Sequence, residues 1–396
     1  MKNDAIIGRD IDTNEEIKLK EKDRLFNTLV LGPTGSGKGS ISLKPMILRD
    51  ILEGDCQVIV FEPVGDLADN IVDIAKKKNK EVVCLSPYKC GVSVNPLIGN
   101  EYTVIRELVN VFNTIYADST PYFKDKCIQL LINSISVAKR VFGDKATFTE
   151  LDMIIENTEN NGKDILLKLI ENNFTTENLK LASWFAEYYE NNVKSNDFIE
   201  AKRFIKFYTE DKYISNVMNN IKNKNSININ TLMEKEEHII VGGHLGILRK
   251  DKGLSYSLLL LEKIITYLYN RKDKSKPVYL YINEFSTYIN EQLVNFLLTN
   301  RCLNVGVIIG LQARCQINKE YQNTVLSNVR NLIIHPGLNS NDANYYSEVL
   351  NSMINVKLYT PENIIYKPFN HYVACIIEDG TYKPSITLKG IFFEED

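Results

Sequence analysis

The sequence predicts an α/β fold: a mostly parallel sheet covered by helices and interrupted by an all-helical insertion. Three observations predict it. Short unbroken apolar runs, such as Gln57-Val-Ile-Val-Phe61 and Asn304-Val-Gly-Val-Ile-Ile-Gly310, read as strands buried on both faces. Helical segments separate these runs, and that alternation lays down parallel strands. From about Glu101 to Lys235 the strand signal stops and helical periodicity replaces it.

The elements follow in order. Ala5–Asp10 and Glu16–Lys20 read as a β-hairpin across Asp12-Thr-Asn14. The apolar run Phe26–Leu31 is a strand, and a helix-compatible run from Gly39 to Leu52 follows it. Gly54-Asp55 breaks that helix. The strand Gln57–Phe61 ends in Glu62-Pro-Val-Gly-Asp66, and a helix runs from there to about Lys78. Glu81–Leu85 is the next strand, and this stretch closes at Asn95-Pro-Leu97.

In the helical stretch, Val104, Leu108, Val109, Phe112 and Ile115 fall at helical spacing, as do Cys127, Leu130, Leu131, Ser134, Ile135 and Ala138. Further helices are expected over Glu150–Glu156, Asn178–Asn191 and Ser195–Ile221, with Asn-rich breaks near 157–162 and 218–230. The aromatics Trp184, Phe185, Tyr188 and Tyr189 fit a helical core. Strands resume at Glu237–Gly243, Pro277–Ile282, Asn304–Gly310 and Asn331–His335. Helices are expected over Gly253–Asn270, Gln292–Leu298 and Ala343–Leu350. The tail has strand-like runs at Tyr372–Ile377 and Ser385–Phe393. The expected division is 1–100 for the first part of the α/β domain, 101–235 for the inserted helices, and 236–396 for the second part.

Composition narrows the partners. The net charge of −3 gives no global cationic field, so nucleic-acid binding requires a local basic surface such as a pore lining. The seven cysteines are scattered, with no CxxC pair, and only four histidines accompany them, so neither a zinc site nor a disulfide frame is expected. Such thiols suit a reducing, cytoplasmic setting. Met1-Lys-Asn-Asp4 is not the start of a secretory signal, and no run is apolar enough to predict a transmembrane helix.

The chemistry centres on Gly32, Pro33, Thr34, Gly35, Ser36, Gly37, Lys38, Gly39 and Ser40. Strand, glycine-rich turn, lysine and helix make a nucleotide phosphate site, the P-loop. Successive backbone N–H groups curl around an anion, and the helix N-terminus adds partial positive charge. Lys38 reaches the β- and γ-phosphates of ATP, and a hydroxyl binds Mg²⁺. Here Gly39 follows the lysine, so the hydroxyl is that of Ser40.

Hydrolysis also needs a carboxylate near Mg²⁺ and a group that polarises water. Asn283-Glu284, at the end of a downstream strand, is the best match. Glu284 is the candidate base. Asn283 stands where an aspartate is expected; its amide can accept from a Mg²⁺-bound water but brings no charge. Gln312, ending the next strand, is a candidate γ-phosphate sensor. Arg301 is a candidate arginine finger toward a neighbouring subunit, with Arg330 and Arg314 behind it. Glu62, at another strand end, is a second candidate for Mg²⁺ or water.

Taken together, these motifs resemble the VirD4/TraG family of type IV secretion coupling proteins over most of the chain. The resemblance rests on Gly8-Arg-Asp10 with its hairpin, Gly37-Lys-Gly39 with Pro45 in the next helix, Glu62-Pro-Val-Gly-Asp66 and Asn95-Pro-Leu97. Pro121-Tyr-Phe123 opening the insertion and Gln312-Ala-Arg-Cys-Gln316 with Tyr321 and Asn328 extend it. Val64 replaces that family's usual lysine, Asn283 its aspartate, and the transmembrane helices that usually open family members are missing. The resemblance implies a RecA-like P-loop ATPase, homo-hexameric when active, with ATP at subunit interfaces. It implies a relaxase–DNA substrate, with the DNA single- or double-stranded, handed to a type IV secretion channel. It also implies a cytoplasmic position, at the inner face of the membrane through a separate membrane-anchored partner. Two alternatives stand beside it: a nucleotide-gated adaptor with weak ATPase activity, and a HerA/FtsK-like DNA motor.

Overall fold

The structure is a computed structural model that describes residues 3–89, 92–220, 227–248, 250–352 and 358–393. Cys90 and the centre of the second Asn-rich break, 221–226, lie outside the described residues. The strands are β1 (Ala5–Asp10), β2 (Glu16–Leu19), β3 (Thr28–Leu31), β4 (Gln57–Glu62), β5 (Val82–Cys84) and β6 (His238–Gly242). They continue with β7 (Val278–Ile282), β8 (Val305–Leu311), β9 (Asn331–Ile334), β10 (His371–Cys375), β11 (Ile377–Glu378), β12 (Thr381–Tyr382) and β13 (Ile386–Lys389).

Eleven strands form one sheet in the order β2-β1-β13-β10-β9-β3-β8-β7-β4-β6-β5. From β9 to β5 every pairing is parallel; from β9 through β10, β13 and β1 to β2 every pairing is antiparallel. β3, β4, β7, β8 and β9 are buried at every position, which is why their sequences are unbroken apolar runs and not alternating ones. The amino-terminal hairpin is not a separate ornament. β1 pairs with β13 at Arg9 and Lys389, so it extends the central sheet.

The strand order places the chemistry. β3 lies between β8 and β9, with β7 beyond β8. Because these strands run parallel, their carboxyl ends form one row, where the loops after β3, β7, β8 and β9 converge.

The chain divides into two compact units. One comprises Met1–Leu85, Lys235–Gly246 and Leu268–Asp396; the other comprises Ser86–Glu234 and Ile247–Tyr267. This differs from the expected boundaries of 101 and 235 in two places. Among the described residues of 86–100 there is no helix, yet Asn95 Nδ2 donates to Ala146 O at 2.8 Å and Val94 N to Val217 O at 2.6 Å, which ties them to the helical unit. Most of helix Lys250–Asn270 also belongs there. It buries Lys263 against Glu107 at 2.7 Å and offers Ser255 O to the Tyr208 hydroxyl at 3.1 Å. Helical periodicity gives the buried face of a segment but not the layer it packs against.

The helical unit also breaks one expected helix. In place of Ser195–Ile221 there are helices Ile199–Thr209 and Lys212–Met218. Asp211 caps the second, accepting from the N–H groups of Tyr213 and Ile214 at 3.1 and 3.4 Å, and so starts a new helix inside an apolar-periodic run. The expected helix Asn178–Asn191 is Thr176–Glu187 continued by a wider turn over Tyr188–Asn192. Phe185, Tyr188 and Tyr189 are buried there.

Candidate nucleotide-binding site

β3 delivers the chain into the glycine-rich turn with no slack: Gly32 N donates to Leu311 O of β8 at 3.0 Å. Gly35 and Gly37 have φ of +81° and +94°. A Cβ on Gly37 would meet Ile41 Cδ1 at 2.3 Å, so glycine is required there on two counts. The helix begins with a wide turn over Lys38–Leu43, in which Lys44 N reaches back five residues to Gly39 O. Pro45 explains the widening, since it has no N–H for the usual bond and its ring crowds the turn before it. Helix Lys44–Glu53 follows.

Around this turn lies a cavity of about 270 Å³. Its walls are Pro33, Thr34, Gly35, Gly37, Lys38, Gly39 and Ser40, with Asn283 and Glu284 from the end of β7, and Phe369. Lys38 Nζ is 3.1 Å from Glu284 Oε1, and Gln312 Nε2 donates to Glu284 Oε2 at 3.0 Å. Three residues spread over 275 positions of sequence thus form one chain of contacts: lysine, carboxylate, glutamine. Gln312 is itself held, because Gln316 Oε1 accepts from the N–H groups of Gln312 and Ala313 at 3.1 and 3.2 Å.

Glu284 has φ of +53°, in the left-handed region where a side chain costs about 1–3 kcal/mol. Such strain at a carboxylate facing a lysine is typical of sites where position matters more than local comfort. Asn283 precedes it. A Cβ on Gly310 of the neighbouring strand would meet Asn283 Oδ1 at 2.8 Å, so the glycine makes room for the amide.

The turn and its surroundings fit a nucleotide with Mg²⁺. Gly39 has nothing within 4 Å of where a Cβ would stand, which leaves the mouth of the turn open to a phosphate. Ser40 lines the cavity with its hydroxyl. Asn283 Oδ1 is buried and has no hydrogen-bond partner among the described residues.

Glu62 and the three candidate arginines stand elsewhere. Glu62 does not line this cavity. It is 2% exposed and its carboxylate folds back on its own turn, accepting from Val64 N at 3.1 Å and from Gly65 N. Burial raises its pKa above the ordinary carboxylate value, against the pull of those N–H groups and of the Asn283 amide. Its connection to the site therefore runs through Asn283. Arg301 lies before β8, at the opposite edge of the parallel strands from the P-loop. Its guanidinium stacks on Phe26 at 3.9 Å, and Arg330 stacks on the same ring at 4.9 Å. Arg314 packs on Tyr345 at 4.1 Å and pairs with Asp342.

Sequence reasoning missed His335, the residue after β9. It is fully buried, with Nε2 2.8 Å from Ser42 Oγ and Nδ1 3.2 Å from Ser36 O. Burial lowers its pKa to about 4, so the ring is neutral and can donate to the Ser36 carbonyl while accepting from Ser42. It clamps the turn to the first turn of the following helix. Its place at the end of an apolar strand was the available signal. Phe369 was also missed, and no motif marks it.

A central parallel sheet with a glycine-rich turn after its middle strand, a lysine facing a carboxylate two strands away and a helical unit inserted after β5 defines the RecA-like class of P-loop nucleotide-binding proteins. The chain belongs to the type IV secretory system conjugative DNA transfer family, whose model matches residues 2–353. This bears out the resemblance read from the motifs. No curated protein matches the sequence. Among solved structures, the chain is similar to the bacterial conjugative coupling protein TrwBdeltaN70 in its unbound form, with TM-score 0.67 and 14% identity over 96% of this chain and 88% of that one. It is similar to plasmid coupling protein TrwB in complex with ADP and Mg²⁺, with TM-score 0.61 and 15% identity over 95% and 87%. VirB4 of Thermoanaerobacter pseudethanolicus matches with TM-score 0.61 and 14% identity over 98% and 96%. Among the described residues, no helix is long and apolar enough to cross a membrane.

Proposed function

We propose that the chain is an ATP-dependent coupling protein that recruits a relaxase–DNA substrate and drives it toward a type IV secretion channel. The observation that carries the catalytic part is the contact chain from Lys38 through Glu284 to Gln312 on one row of strand ends. Lys38 binds the β- and γ-phosphates of ATP. Glu284 orients and deprotonates the attacking water, and Gln312 reports the γ-phosphate to it. Ser40 and Asn283 would hold Mg²⁺, which when bound neutralises charge on the phosphate oxygens. TrwB, with which the fold is shared, has been captured with ADP and Mg²⁺ and with a non-hydrolysable ATP analogue, which supports this pairing of cofactors.

The active form in this reading is a homo-hexamer in which Arg301 completes a neighbour's site. Its position away from its own P-loop, on a residue exposed to solvent, suits a role in trans. The inserted helices read the substrate from the cytoplasm, and a membrane-anchored partner holds the assembly at the inner face of the membrane. A second reading is favoured by Asn283, which leaves one charge fewer beside Mg²⁺: a nucleotide-gated adaptor that hydrolyses ATP slowly.

The test is the steady-state ATPase rate of the parent and of Lys38→Ala, with and without single- and double-stranded DNA. The translocase predicts a rate that rises with DNA and vanishes in Lys38→Ala, whose nucleotide binding should also be lost. A Lys38-dependent rate that is low and indifferent to DNA would favour the adaptor. A rate unchanged in Lys38→Ala would overturn the site.

A further inference from the structure

Phe369 is the only wall of the nucleotide cavity, among the described residues, that comes from neither the P-loop nor β7. It is a large apolar side chain, 63% exposed, standing beside a polar phosphate cradle. Its backbone is held firmly. His371 N donates to Pro368 O at 3.0 Å, closing a turn in which Asn370 has φ of +70°. The extended strand β10 begins directly after it. Gly390 N donates to Asn370 O at 2.9 Å, and Asn370 Nδ2 donates to Gly390 O at 3.3 Å. A turn braced on both sides presents its outward ring at a defined place.

That place has a direction. β10 runs antiparallel to β9, so its first residues meet the row of carboxyl ends of the parallel strands. In the sheet order, β7 with Glu284 lies two strands to one side of β3, and β10 with Phe369 lies two strands to the other. At strand spacing, each is about 10 Å from the P-loop strand. A nucleotide whose γ-phosphate faces Glu284 and whose phosphate chain lies on the turn therefore directs its base toward Phe369.

We propose that Phe369 is the platform on which the purine base of the nucleotide stacks. This rests on the nucleotide reading of the P-loop. A stacked base contributes through its π-face, so the contact strengthens binding while tolerating adenine and guanine alike.

The experiment is calorimetric titration of the full chain with Mg²⁺-ATP, Mg²⁺-GTP and Mg²⁺-tripolyphosphate, which keeps the phosphates and lacks the base. Parent, Phe369→Ala, Phe369→Tyr and Lys38→Ala are compared. Stacking on one aromatic ring predicts that Phe369→Ala weakens ATP and GTP by about 5- to 100-fold. Tripolyphosphate affinity should stay within about 2-fold, and Phe369→Tyr should restore nucleotide binding. Equal loss for ATP and tripolyphosphate, or no loss for either, overturns the platform while a Lys38-dependent parent affinity leaves the nucleotide site standing. A parent that binds no ATP, or binds it equally well in Lys38→Ala, overturns the nucleotide site and the platform with it.

Discussion

Lys38 and Glu284 are an ion pair with Nζ and Oε1 3.1 Å apart, in a setting where the lysine is 7% and the glutamate 20% exposed. A carboxylate that faces the phosphate-binding lysine, and is held from behind by Gln312, is poised between two partners. In the proposed site, ATP would draw the lysine to phosphate and free the carboxylate to orient water.

Glu284→Gln should therefore keep nucleotide binding and lose hydrolysis. The amide cannot accept the proton of the attacking water, and a loss of about 100-fold or more in kcat is expected of a missing general base. Measured ATP affinity should be unchanged or tighter, because Lys38 is released from its ion pair. Full turnover in this variant would move the catalytic carboxylate elsewhere.

Asn283→Asp should strengthen Mg²⁺ binding. The orphaned Oδ1 becomes part of a charged carboxylate at the proposed Mg²⁺ site. The added charge also sits against the buried carboxyl of Glu62, which should rise further in pKa. A titration of ATPase rate against Mg²⁺ should show a lower half-saturating concentration. Identical curves would mean that Asn283 is not near the metal.

Arg301→Ala should leave ATP binding nearly intact and suppress hydrolysis. Mixed with parent protein it should poison parent subunits, because in the proposed hexamer each site would be shared across an interface. The readout is ATPase rate against mutant fraction, with sedimentation alongside. A strictly linear loss would mean that subunits act independently.

Acid should destabilise the sheet unit through its histidines. Burial lowers His335 and His238 to about 4 and His244 to about 3, from an ordinary 6.5. The unfolded chain then binds more protons than the folded one as pH falls. The stabilisation is complete above 6.5 and is lost progressively down through 4, at roughly 2 kcal/mol per histidine between pH 7 and 5. Denaturant midpoints measured across that range should fall, and His335→Gln should remove roughly a third of the slope. An unchanged slope would mean that His335 is not held neutral against Ser36 and Ser42.

The sequence by itself determined the elements and the cradle. A strand buried on both faces must be an unbroken apolar run, so β3, β4, β7 and β8 were legible one by one. The turn from Gly32 to Ser40 announces a phosphate because its glycines, lysine and helix start are contiguous. Asn283, Glu284 and Gln312 could be named as candidates because parallel strands bring their carboxyl ends into one row.

What only the tertiary structure decided is which ends meet. Strand order is set by long-range packing of faces that are all apolar, and local periodicity carries no record of it. The order β10-β9-β3-β8-β7 brings Glu284 and Gln312 to the row of Lys38, sets His335 under the turn, and places Phe369 across the cavity from Glu284. The inward fold of Glu62 and the transfer of most of helix Lys250–Asn270 to the helical unit have the same origin. A residue's position at a strand end fixes its neighbourhood. The direction of its side chain is settled by whichever hydrogen-bond donors and apolar surfaces the fold brings near.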